Sequence, residues 1–158
     1  MNTIKLVVRS NTLNCDIELK HRINIIKGDS GVGKTTLSDV FTTVDDAVKT
    51  NTTYPAITVS PRDWEHQFET QKDKILIFDS ARYIESKEFC EELDKYLEKS
   101  NLYLVIFNRA NLTYFRNRYK DQIGIYEMYY DETLINHYVR ELQESTKESI
   151  TSKTSFFS

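Results

Sequence analysis

Residues Gly28-Asp29-Ser30-Gly31-Val32-Gly33-Lys34-Thr35 follow the pattern G-x-x-x-x-G-K-[ST], in which each residue type has a chemical task. Backbone N–H groups can wrap a phosphate only where the chain turns tightly, and glycine permits both the turn and the close approach. The chain concentrates its glycines here: it has four, and three of them are Gly28, Gly31 and Gly33. An average protein carries roughly 7% glycine. In a cradle running from Gly28 to Thr36, Lys34 reaches the β- and γ-phosphates and the Thr35 hydroxyl coordinates Mg²⁺. The first turn of a following helix adds unsatisfied N–H donors and a partial positive charge.

Such a cradle needs a strand before it and a helix after it. Residues 23–26, Ile-Asn-Ile-Ile, read as a strand covered on both faces. From Gly33 the apolar period becomes helical, with Leu37, Val40, Phe41, Val44 and Val48 on one stripe. Upstream, Ile4, Leu6 and Val8 alternate with polar neighbours, as do Cys15, Ile17 and Leu19 after a polar turn, which predicts an antiparallel hairpin. Downstream, the polar stretch 49–53 reads as a connection to a short strand at 56–59. Ser60 and Pro61 then predict a helix start, with Trp64 and Phe68 four apart on it. The apolar runs 75–78 and 102–107 read as strands ending at Asp79 and at Asn108-Arg109. Between them, Phe89, Leu93, Tyr96 and Leu97 mark the inner face of a helix. A short helical piece over 111–120 leads to a strand over 123–130. The spacing of Leu134, Ile135, Tyr138, Val139 and Leu142 predicts a final helix. Strands alternating with helices predict an α/β domain over residues 1–144, with a mainly parallel sheet covered by helices; the Ser/Thr/Lys-rich residues 145–158 read as a disordered tail.

The phosphate motif resembles the Walker A loop of the P-loop nucleoside triphosphatases. The run ending in Asp79 is similar to their Walker B strand, which implies that Asp79 holds the Mg²⁺ directly or through water. The resemblance implies the three-layer α/β P-loop fold, with the N-terminal antiparallel hairpin of ABC-type domains. It also implies that the strand at 102–107 inserts between the Walker A and Walker B strands. Asn108 then holds the position that senses the γ-phosphate, beside Arg109; capping of the following turn is the other reading of Asn108. ATP or GTP with Mg²⁺ is the implied cofactor.

Two departures bear on activity. Hydrolysing relatives carry Glu after the Walker B Asp, whereas Ser80 stands here, and a hydroxyl is a poor general base at neutral pH. Glu85 and Glu88 read as solvated helix residues, or as substitutes for that base if the turn folds back. The Leu-Ser-Gly-Gly-Gln signature is missing, since Gly124 is the only glycine after Gly33. The expectation is nucleotide binding with slow or partner-dependent hydrolysis. One alternative is a small-molecule kinase whose lid uses Arg82, Arg109, Arg116 and Arg118, with Tyr114, Phe115 and Tyr119 favouring a packed helix instead. Another is a nucleotide-binding interaction module whose ten tyrosines serve a protein partner or a second copy, against which the Tyr129-Tyr130 pair reads more simply as edge-strand packing.

Composition narrows the field further. The 158 residues carry a net charge of −3, with lysines scattered among acids, so nucleic acid is not indicated. No apolar run approaches the ~18 residues of a membrane span. The first ten residues lack a secretory signal, and two cysteines, Cys15 and Cys90, are too few for a disulfide scaffold, which predicts a reduced, cytoplasmic protein. His21, His66 and His137 lack metal-ligand spacing, and His21 is the nearest aromatic before the motif that could meet a base.

Overall fold

In the computed structural model, which describes residues 4–10, 13–28, 49–79, 82–107 and 112–142, strands dominate. The alternating N-terminal residues form β1 (Lys5–Arg9) and β2 (Leu13–Glu18), antiparallel, with Lys5 opposite Glu18. β3 (Ile23–Lys27) follows, then β4 (Lys49–Thr52), β5 (Ala56–Thr58) and helix α1 (Trp64–Thr70). Next come β6 (Lys74–Asp79), a 3₁₀ turn (Arg82–Glu85), α2 (Lys87–Tyr96), β7 (Leu102–Phe107) and α3 (Thr113–Arg118). The described chain closes with β8 (Ile123–Asp131) and β9 (Asn136–Glu141).

All nine strands belong to one mixed sheet in the order β4-β1-β2-β9-β8-β3-β7-β6-β5. Its β5-to-β8 portion is parallel, while β4, β1, β2 and β9 add a second half in which β4–β1 and β1–β2 pair antiparallel and β2–β9 parallel, joined to the first half by the antiparallel β9–β8 pairing. The two edge strands are joined by three residues, from Thr52 to Ala56. Four Cα steps reach at most about 15 Å. A flat nine-stranded sheet would hold its edges nearly 40 Å apart at ~4.8 Å per strand. The sheet therefore curls until its edges approach, close to a barrel.

This curl overturns the expected three-layer, mainly parallel α/β P-loop arrangement. The inner face of the curl is one buried cluster drawn from both halves, with Leu6, Val8, Cys15 and Ile17 alongside Ile26, Ile77, Phe107 and Tyr126. The other face packs against the three described helices, through Phe68 of α1, Phe89 and Leu93 of α2 and Phe115 of α3. Among the described residues, helices cover one face only, and strands enclose the other.

Local readings also change. The residues expected as a final helix form β9, antiparallel to β8, with Val139 opposite Met128. The Asp131 side chain accepts the N–H groups of Thr133 and Leu134 at 2.9 and 3.0 Å, which reverses the chain and lays β9 beside β8. Leu134 and Ile135 are then left at the exposed hairpin tip. The polar connection at 49–53 contains β4, an edge strand paired with β1, as Thr52 opposite Leu6 shows. Polar residues suit an edge, so no hydrophobic signal announces it. Helix α1 starts at Trp64 rather than at Pro61, because the Ser60 hydroxyl caps a turn by accepting Arg62 N–H at 3.1 Å. Tyr129 and Tyr130 lie on β8, an inner strand between β3 and β9 rather than an edge. The helix expected from Leu37 to Val48 and the tail at 145–158 lie outside the described residues.

Asn101 ties the curl together. Its amide nitrogen donates to Tyr54 Oη at 3.0 Å, in the connection between the edges, and to Asp73 at 2.8 Å. Its oxygen accepts from Arg22 at 2.7 Å. Asn101 has φ 54°, a left-handed conformation that asparagine tolerates better than most residues.

Candidate functional site

Three parallel strands run side by side, and two of them lead to described candidate residues, Gly28 after β3 and Asp79 at the end of β6. β7 lies between β3 and β6, with Phe107 in register with both Ile26 and Asp79. Gly28 follows β3 two residues beyond Ile26, and Asp79 ends β6. Two strand spacings of ~4.8 Å separate the backbones of β3 and β6 by roughly 10 Å. β3 can run through the sheet interior because Ile23, Ile25 and Ile26 are buried, so the chain leaves the core just where Gly28 stands.

Residues Asp29, Ser30, Gly31, Val32, Gly33, Lys34, Thr35 and Thr36 lie outside the described residues, as do Ser80, Asn108 and Arg109. What is described brackets them: Gly28 precedes the phosphate motif, Asp79 precedes Ser80, and Phe107 precedes Asn108. Among the described residues, no three or more His, Cys, Asp or Glu side chains gather as a metal site. His21 sits at the amino end of β3, away from Gly28, and so is no candidate to stack on a base at the Gly28 edge.

The turn after Asp79 is anchored by packing and by charge. Tyr83 stacks on Trp64, with ring centroids 6.0 Å apart and planes 12° from parallel, and both rings meet Phe89. Burial, reinforced by the Asp63 charge, pushes the Tyr83 hydroxyl well above the ordinary tyrosine range. Glu85 does not face the site as a substitute base. Its carboxylate accepts the N–H groups of Tyr114 at 2.8 Å and Phe115 at 3.0 Å, at the start of α3. Residue Leu112, at the cap position of α3, offers no side-chain acceptor, so Glu85 takes that role from a distance. Glu88 is exposed in the first turn of α2. The sequence signal for Glu85 was therefore a helix lacking a local cap, read together with an acid near the preceding strand.

The lid arginines divide. Arg118 bonds to Asp94 of α2, and Tyr119 Oη also meets Asp94 at 2.6 Å, so this end of α3 is pinned to α2. Phe115 and Tyr119 are buried, in keeping with a packed helix. Arg82 is exposed in the 3₁₀ turn.

No described helix is long and apolar enough to cross a membrane. Neither a protein-family model nor a curated protein matches this chain.

Proposed function

We propose that the chain binds a nucleoside triphosphate, ATP or GTP, together with Mg²⁺, and hydrolyses it slowly or only with a partner. Residues Gly28, Asp29, Ser30, Gly31, Val32, Gly33, Lys34, Thr35 and Thr36 cradle the phosphates, and Thr35 with Asp79 holds the metal. The observation that carries this reading is the meeting of Gly28 and Asp79 at one sheet edge, two strands apart, with β7 between them. Motif and acid are far apart in sequence, and the pairing of β3 and β6 with β7 sets the strand leading into the motif two strands from the one that ends in Asp79, which supports this reading. That strand order is also the one the resemblance to P-loop nucleoside triphosphatases implies. Asn108, which follows β7 directly, is a candidate sensor of the γ-phosphate, with Arg109 beside it.

Ser80 supports weak turnover, since neither Glu85 nor Glu88 is positioned as the missing base. A cytoplasmic setting suits two cysteines that are both buried and unbridged. A protein partner or second copy would supply what the isolated site lacks for hydrolysis.

Calorimetry with Mg-ATP and Mg-GTP tests the proposal. Saturable heat with thermal protection, weakened at least ~10-fold in Lys34→Ala, is the expected result. No heat and no protection with either nucleotide overturns it.

A further inference from the structure

Beyond Asp79 the chain enters the 82–85 turn, where the ring of Tyr83 is enclosed by Trp64, Phe78 and Phe89. The three contacts differ in kind. Phe78 and Phe89 stand at 64° and 62° to the Tyr83 plane, whereas Trp64 lies 12° from parallel to it, offset with centroids 6.0 Å apart. Edge contacts hold a ring against tilting. Parallel rings keep their attraction over a range of offsets, so the Trp64 face lets Tyr83 slide in its own plane.

Three polar atoms on these elements are buried without a hydrogen-bond partner: Tyr83 Oη, Asp63 Oδ1 and Gln67 Oε1. Asp63 immediately precedes Trp64, and its other oxygen accepts from Gln67 Nε2 at 3.1 Å. That bond orients the amide and leaves Oε1 as an acceptor. The group therefore holds two acceptors and one donor, the Tyr83 hydroxyl. Asp63 is near enough for its charge to act on this hydroxyl, second to burial, yet the two do not bond. Joining them would replace two forfeited hydrogen bonds with one that is charge-assisted. The turn keeps them apart. Its far side is tied to α2, since the Tyr83 carbonyl accepts Ser86 N–H at 3.0 Å and the Ser86 hydroxyl at 2.6 Å. Its near side leads back to Asp79.

We propose that Mg-nucleotide binding at Asp79 shifts this turn and slides Tyr83 along Trp64 until its hydroxyl donates to Asp63 Oδ1. The inference rests on the nucleotide reading and adds a conformational response to it. In the position described, donor and acceptor stand apart; in the second position they join. A ligand moves such an equilibrium only by binding one position better, and a metal held by Asp79 supplies that difference where the turn has moved with it. Helix α1, with Glu65, His66 and Glu69 exposed, then carries the state of the site to the surface.

Trp64 is the chain's only tryptophan, so its emission reports on the stack directly. The test titrates the full chain with Mg-ATP and with Mg-GTP, recording Trp64 emission and calorimetric heat together, for the unaltered chain, Tyr83→Phe, Asp63→Asn and the double variant. The expected result is a saturable emission change that tracks the heat. Tyr83→Phe keeps the ring and should lose that change, with affinity roughly tenfold weaker, the low end for a hydrogen bond to a charged group. Without nucleotide it should melt no lower than the unaltered chain, because the hydroxyl it removes has no partner there. Asp63→Asn should weaken binding by itself and add nothing to Tyr83→Phe. Saturable heat with constant emission, an emission change that survives Tyr83→Phe, a lower melting temperature in Tyr83→Phe, or independent effects of the two substitutions overturns the inference and leaves nucleotide binding standing. No heat with either nucleotide overturns the nucleotide reading, and this inference with it.

Discussion

Glu85 caps a helix that begins far along the chain: its carboxylate accepts the Tyr114 N–H at 2.8 Å across twenty-nine residues. The contact ties the turn after Asp79 to the helix after Asn108, the two segments that border the proposed metal and sensor positions. Glu85→Ala should lower stability by about 1–2 kcal/mol, the usual worth of a charged cap, and Glu85→Gln should recover part of it. Urea unfolding measures both. Were Glu85 a catalytic base, the same variants would lose turnover with stability unchanged.

Ser80 occupies the position where a base is expected. Ser80→Glu should raise ATP hydrolysis, within the roughly 10²–10⁴-fold that general-base catalysis supplies. Asp79→Asn should weaken Mg-dependent binding while leaving magnesium-free binding nearly intact. Phosphate release and calorimetry distinguish these outcomes from a site that already has its base.

The thiols set an alkaline limit. Burial, and then the neighbouring Asp16 charge, pushes the Cys15 thiol up to about 12. Cys90 rises to about 11, again chiefly by burial, with Arg118 opposing. Because the folded values exceed the unfolded ones, this stability is complete below pH ~9 and is lost as pH climbs toward the folded values. Cys15 alone should cost about 2 kcal/mol between pH 7.5 and 10.5. Denaturation midpoints across that range measure the slope, and Cys15→Val should flatten part of it.

Ile135 carries φ 51° at the tip of the β8–β9 hairpin and is 71% exposed. A β-branched side chain is strained in that conformation and gains almost nothing from burial here. Ile135→Asn or Ile135→Gly should stabilise the fold by about 1 kcal/mol, raising the melting temperature by roughly 2–4 °C. An unchanged or lower melting temperature would show that the tip relaxes without cost.

The strands around the candidate site could be read from residue types and spacing. The apolar runs leading to Gly28, to Asp79 and to Phe107, and the alternating strands of the N-terminal hairpin, are local patterns, and local patterns report local conformation; the phosphate motif itself lies outside the described residues. The Phe89 and Leu93 face of α2 was visible for the same reason, as both are buried against the sheet.

Tertiary structure decided the rest. β4 is polar and becomes a strand only because β1 offers it an edge. The stripe from Leu134 to Leu142 has helical spacing, yet β8 and the Asp131 turn make it a strand. The change from a layered sheet to a curled one follows from three residues, Thr53, Tyr54 and Pro55, that join strands at opposite ends of the order. A short connection between distant strands forces closure whatever the residues prefer individually. Pairing partners, unlike periodicity, are not written in any single segment.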